Sequence, residues 1–124
     1  MPQKILIVDD EPFVLRVTEL SLKKGGYELI FGRNGLEAMQ SAARELPALI
    51  VMDVQMPEMD GLTALRHLKQ NPVTARIPVI MLTARGHVLT RQDAENSGAA
   101  LFLTKPCSPT QLLSEVQRIL GGGA

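Results

Sequence analysis

Five side chains in this sequence are carboxylate, hydroxyl or ammonium groups able to do chemistry, and each stands at or just beyond the end of a short apolar run. Asp9 and Asp10 follow Lys4-Ile5-Leu6-Ile7-Val8, and Asp53 closes Ala48-Leu49-Ile50-Val51-Met52. Thr83 follows Val79-Ile80-Met81-Leu82, and Lys105 comes just after Leu101-Phe102-Leu103 and Thr104. Three carboxylates converging on one crevice repel one another, so a cation or a proton must neutralise at least one. Hard oxygen donors with room for water suit Mg²⁺. A carboxylate can also act as the nucleophile that receives a phosphoryl group. Charge on that group needs a metal ion, a cation and hydrogen-bond donors around it. Lys105 offers the cation, Thr83 a hydroxyl, and the nearby loop backbones N–H groups.

For these residues to meet, the runs that end in them must lie side by side. Runs apolar at every position read as strands buried on both faces, as central parallel strands are. Helical patterns fill the intervals. Pro12 opens the first helix, with Phe13, Val14, Val17, Leu20 and Leu22 as its apolar face and Gly25-Gly26 as its stop. Tyr27–Phe31 has a polar interruption that suits an edge strand. Asn34 and Glu37 resemble a capping box for the second helix, which ends at Pro47. Asp60 is placed to cap a third helix, with Leu62, Leu65 and Leu68 buried, that ends at Asn71-Pro72; the polar stretch to Arg76 reads as a loop. Residues about 87 to 96 give a polar fourth helix, and Ser108-Pro109-Thr110-Gln111 opens a fifth with Leu112, Leu113, Val116, Ile119 and Leu120 inside. Five strands alternating with five helices predict an α/β fold with a parallel sheet covered on both faces; right-handed crossovers leave a handful of strand orders, and the flavodoxin-like, doubly wound, five-stranded order 2-1-3-4-5 fits. Strands 1, 3 and 4 take the centre, 2 and 5 the edges, and the switch point sets Asp9 and Asp10 opposite Asp53.

At 124 residues the chain is one domain, able to bury roughly 65–70% of its unfolded surface. Thirteen basic and thirteen acidic residues give no net charge, so no basic excess points to nucleic acid or a membrane surface. No apolar run approaches the roughly 18–20 residues of a membrane span, and no signal peptide is legible. The lone Cys107 can form no internal disulfide. These features predict a cytoplasmic protein, with residues 1–120 as the domain and 121–124 as a Gly-rich tail or linker stub.

The chain resembles a response-regulator receiver domain of two-component signalling, of the single-domain chemotaxis kind, across essentially its whole length. The resemblance rests on Ile7-Val8-Asp9-Asp10-Glu11-Pro12, Met52-Asp53-Val54-Gln55-Met56-Pro57-Glu58-Met59-Asp60-Gly61, Leu82-Thr83-Ala84 and Thr104-Lys105-Pro106, all in one order. It implies that Asp53 accepts phosphate from a histidine kinase or phosphotransfer protein. It further implies that Asp10, Asp53 and the Gln55 backbone carbonyl hold Mg²⁺, with Asp9 acting through water. Lys105 and Thr83 would bind the phosphoryl oxygens beside the backbone N–H groups of Gln55 and Ala84. Phe102 matches the switch aromatic, and a cis Lys105–Pro106 bond would aim the lysine. The fourth helix, fifth strand and fifth helix would then present a changed surface to a downstream target. A monomer or weak dimer is expected, with no direct nucleic-acid or membrane contact.

Other positions carry plainer expectations. Met52, Met56 and Met59 read as packing, His67 and His87 as solvated, and Cys107 as a small packed residue. Gln55 and Arg85 flank the site, and their long side chains are expected to slow self-hydrolysis. Arg85, His87 and Arg91 give the fourth helix some positive character without implying a DNA partner. An aspartyl-phosphate phosphatase would need a second acid where Gln55 stands, so a turnover enzyme is not expected. A flavodoxin-like cofactor binder would need a Gly- and Ser-rich phosphate loop where Asp9-Asp10 stands. The remaining alternatives are a constitutive binding module that is never phosphorylated, or a receiver excised from a larger regulator or hybrid kinase at the Gly run.

Overall fold

A computed structural model describes residues 3–56, 59–83, 96–105 and 107–121. The parallel sheet has the order β2-β1-β3-β4-β5. Its strands are β1 (Lys4–Val8), β2 (Glu28–Gly32), β3 (Leu49–Asp53), β4 (Val79–Thr83) and β5 (Leu101–Thr104). The described helices are α1 (Pro12–Lys23), α2 (Gly35–Glu45), α3 (Gly61–Gln70) and α4 (Pro109–Leu120), the last being the fifth helix expected from sequence. The helix expected over about 87 to 96 falls mostly outside the described residues, as do Ala84, Arg85, His87, Arg91, Pro106 and Gly122-Gly123.

β3 and β4 are buried at every position, as their uninterrupted apolar runs require, while β2 and β5 are more open edges. Alternation along the strands divides the core in two. Leu6, Val8, Ile50, Met52, Val79 and Met81 face Ala38 and Ala42 of α2 and Ala64, Leu65 and Leu68 of α3. Ile5, Ile7, Leu49, Val51, Ile80 and Leu82 face Leu22 of α1 and Leu112 and Val116 of α4. Burying each large aliphatic side chain contributes roughly 1.5–3 kcal/mol.

The helix starts follow their local chemistry. Asn34, Asp60 and Ser108 each accept the backbone N–H three residues on, from Glu37, Thr63 and Gln111. Glu37 Oε1 reaches back to the Arg33 N–H at 2.9 Å, one residue before the usual capping-box donor. Gly121 takes φ 65° and stops α4.

The apolar face expected for α1 is corrected. Phe13 is 76% exposed, and Val17 and Leu20 are also open, whereas Thr18, Ser21 and Leu22 are buried. Leu22 shares one core cluster with Leu112 and Val116 of α4, and the Ser21 hydroxyl adds a hydrogen bond to the Pro109 carbonyl at 2.8 Å. The stretch from Asn71 to Arg76 is also more than a solvated loop. Thr74 is buried, and its hydroxyl donates to the Leu68 carbonyl at 2.7 Å, closing the end of α3. Leu62 is half-buried beside the core, while Leu65 and Leu68 are inside it.

Candidate functional site

The crossovers deliver the chemically equipped residues to one end of the sheet. Val8 pairs with Met52, so the residues that follow each strand emerge together; Asp53 pairs with Leu82, one residue before Thr83. Thr83 in turn pairs with Thr104, one residue before Lys105. The loop after β3 is held close by Gly61, whose N–H donates to the Val54 carbonyl at 2.7 Å. A Cβ at Gly61 would fall on the Asp53 carbonyl oxygen, so only glycine lets α3 begin this near the strand end.

Asp9, Asp10 and Asp53 each place a carboxylate oxygen within 4.8 Å of the others. Asp9 and Asp53 are buried and Asp10 is exposed. The Lys105 ammonium joins the two buried acids, donating to Asp9 Oδ2 at 2.9 Å and lying 3.1 Å from Asp53 Oδ2. Asp9 Oδ1 meanwhile accepts the Glu11 N–H at 3.0 Å, so Asp9 both starts the turn into α1 and pairs the lysine. Asp53 Oδ1 accepts the Gln55 N–H at 3.3 Å.

Burial pushes the Asp53 carboxyl above its ordinary range against the pull of Lys105, and the Asp9 charge adds to the rise. Burial also works against the Lys105 ammonium. The hydrogen bond to Asp9 and the charges of both acids outweigh it and hold its pKa above the usual lysine value. The ledger of charge at this end is three carboxylates to one ammonium among the described residues. That is an arrangement suited to receiving a multivalent cation or giving up one negative charge.

Thr83 is buried at the end of β4, and its carbonyl accepts the Lys105 N–H at 2.7 Å. Phe102 is half-buried and packs against the core on the α2/α3 side. Met52 and Met56 are buried and Met59 packs on the same core, as expected for packing residues. His67 is exposed. Cys107 is half-buried, and burial raises its thiol pKa, with Glu115 adding to the effect. Sequence reasoning gave Lys105 a phosphoryl partner and missed its direct bond to Asp9, a contact between residues 96 positions apart that no local pattern announces.

The residues 5–117 match the response regulator receiver domain. The chain belongs to that family. The response regulator PleD of Caulobacter vibrioides is 40% identical over 119 residues, which are 96% of this chain and 26% of PleD. The receiver domain of a signal transduction histidine kinase from Syntrophus aciditrophicus is 40% identical, with a TM-score of 0.85 over 98% of this chain and 92% of that one. The receiver domain of the sensor histidine kinase PA1611 from Pseudomonas aeruginosa is 32% identical, with a TM-score of 0.88 over 98% and 99% of the two chains. It was determined with magnesium coordinated in its active-site cleft. This receiver spans about half or less of the length of the curated relatives it matches. Receiver domains are the phosphoacceptors of two-component phosphorelay signalling; they bind Mg²⁺ at an acidic pocket and interact with histidine kinases or phosphotransfer partners.

Proposed function

We propose that this receiver accepts a phosphoryl group on Asp53 and signals through the altered surface of β5, α4 and the segment between β4 and β5. The observation that carries the reading is the triplet of carboxylate oxygens within 4.8 Å, answered among the described residues by Lys105. Asp10, Asp53 and the Gln55 backbone carbonyl would hold Mg²⁺, with Asp9 engaged through water. The donor set fits, being hard oxygens in a site with surplus negative charge. When bound, the ion supplies positive charge to the phosphoryl oxygens.

Asp53 Oδ attacks phosphorus in line, and the donor's bond to phosphorus breaks with its electron pair going to the leaving group. Lys105 exchanges one carboxylate partner for the phosphoryl oxygens. The Thr83 hydroxyl and the N–H groups of Gln55 and Ala84 donate to the same oxygens. Phe102 follows Thr83 inward and reports the change on the edge strand. Water later hydrolyses the acyl phosphate, and the Gln55 and Arg85 side chains slow its approach. Small residues at both positions speed the decay.

Residues 1–120 form the receiver and 121–124 a Gly-rich tail or linker stub. The partners are a histidine kinase or phosphotransfer protein and a downstream protein target, met in the cytoplasm by a monomer or weak dimer. No direct nucleic-acid contact or membrane contact is involved. None of the described helices is long and apolar enough to cross a membrane.

The test is intact mass after incubation with acetyl phosphate and Mg²⁺. A phosphate-sized gain in the wild type, absent from Asp53→Ala and abolished by EDTA, is the expected result. No gain in the wild type would overturn the reading in favour of constitutive binding.

A further inference from the structure

β2 is an edge of the sheet, and among the described residues no strand lies beyond it. Its sequence, Glu28-Leu29-Ile30-Phe31-Gly32, has no lysine or proline, and its register with β1 is unbroken by any bulge. It therefore lacks the usual devices that keep another strand away from an edge. The Glu28 N–H donates to the Gln3 carbonyl, and the Gly32 carbonyl accepts the Asp9 N–H. The backbones of Glu28, Ile30 and Gly32 thus turn to β1, and the N–H and C=O groups of Leu29 and Phe31 point outward. Among the described residues no group takes these up. Phe31 is also 41% exposed.

The outward chemistry is complementary to itself. A twofold axis through Ile30, the middle of β2, pairs the whole strand with a second copy run antiparallel. Leu29 of one copy and Phe31 of the other then exchange both N–H···O bonds, and Ile30 faces Ile30 in the closer, non-bonded pair. Leu29 and Phe31, aligned with Ile5 and Ile7 on the α1 side of the sheet, meet as an apolar cross-strand pair. Glu28 falls opposite Gly32, which has no side chain to repel it, and leans towards Lys4 at 3.9 Å, within its own copy.

Charge fits a copy as well. Beside Phe31, a groove of about 340 Å³ is flanked by Leu15, Arg16 and Glu19 of α1 and by Arg33 and Glu37. Its basic and acidic groups balance, which favours neither a polyanion nor a polycation. Arg16 and Glu19 stand symmetrically about the middle of α1, so where two antiparallel copies of α1 meet at their middles, arginine stands opposite glutamate.

We infer that β2 is a homodimer seam, at which a second copy of this chain extends the sheet antiparallel about Ile30. β5 lies at the opposite edge, so the seam leaves the surface proposed for signalling free. A short strand makes a small seam, and the dimer is expected to be transient, with a dissociation constant on the order of 100 µM.

Sedimentation equilibrium of the full chain on either side of that concentration is expected to show monomer and dimer in exchange. Phe31→Pro removes an outward N–H that the sheet itself does not use, and it is expected to weaken the dimer at least about tenfold. Register is read by disulfide formation under mild oxidation, with Ile30→Cys and Glu28→Cys each made in a Cys107→Ser background. Across the twofold the Ile30 Cα atoms lie about 4.5 Å apart, within disulfide reach, whereas Glu28 lies roughly 13 Å from its counterpart. Ile30→Cys is expected to give a covalent dimer and Glu28→Cys little, although Glu28 is the more exposed position. Equal cross-linking of the two overturns the register. A dimer unmoved by Phe31→Pro and not linked through Ile30→Cys overturns the seam by placing the contact elsewhere. A wild type that stays monomeric throughout overturns it too, and leaves the edge to a strand from another protein.

Discussion

Lys69 and Lys105 are partly buried lysines at opposite ends of the sheet, and they are held in opposite ways. Lys69, near the end of α3, donates to the carbonyls of Ala75 and Ile77 at 3.1 and 2.7 Å, next to the start of β4. Its neighbours there are neutral dipoles, and burial pulls its pKa below the ordinary lysine value. Lys105 instead lies between two buried carboxylates that raise its pKa in spite of burial. One lysine closes a chain turn. The other is, among the described residues, one cation among three acids, an excess of negative charge that an arriving cation or proton would offset. The contrast separates an end of the sheet built for stability from an end built for exchange of partners.

The largest expected effect comes from breaking the second arrangement. Lys105→Met leaves Asp9 and Asp53 facing each other with no ammonium between them. It should cost about 3 kcal/mol in urea unfolding, the low end for a broken buried pair, because Lys105 keeps 22% of its side chain in water. Added Mg²⁺ should recover part of that loss. Lys69→Met should cost about 1–2 kcal/mol, from two carbonyls left without a donor, and Mg²⁺ should recover none of it. If Mg²⁺ rescued both variants equally, the distinction between the two ends would fail.

Asp53→Asn sharpens the comparison in the other direction. The amide keeps the shape and the acceptor for the Gln55 N–H while removing a buried carboxylate whose charged form burial disfavours. Without Mg²⁺ the variant should be about 1 kcal/mol more stable than the wild type, while accepting no phosphate. A loss of stability would show that Asp53 is a structural partner of Lys105 before it is an acceptor.

The difference between the two ends was half legible in the sequence. Strand-length apolar runs, the spacing of helical patterns and the capping residues Asn34, Asp60 and Ser108 are local signals; they give the elements and, with right-handed crossovers, a handful of sheet orders that include the observed one, in which Asp9, Asp53 and Lys105 meet. What stayed hidden depends on partners distant in sequence or on how helices pack together. Thr18 and Ser21 are buried, Ser21 against the start of α4, and nothing within α1 favours them over Phe13 or Leu20. Thr74 reads as a loop residue until the Leu68 carbonyl is seen above it. The exposed Phe13 read as core for the same reason, so the groove it lines beside Asp53 could not be foreseen.

The smallest expected effect is a pH dependence at the closed end. A lysine whose folded-state pKa lies below its unfolded value, about 10.4, is deprotonated first in the native protein. Between those two values the unfolded chain binds more protons, so the contribution of Lys69 to stability rises with pH across that window. Below the window Lys69 is charged in both states, and its charged form carries the full penalty of burial. The stability of the wild type relative to Lys69→Met should therefore increase as pH is raised through that window towards about 10, and stay level below it. Differential unfolding midpoints in urea across that range measure it. A relative stability that falls on the alkaline side would mean that the Ala75 and Ile77 carbonyls favour the ammonium over the amine by more than burial disfavours it.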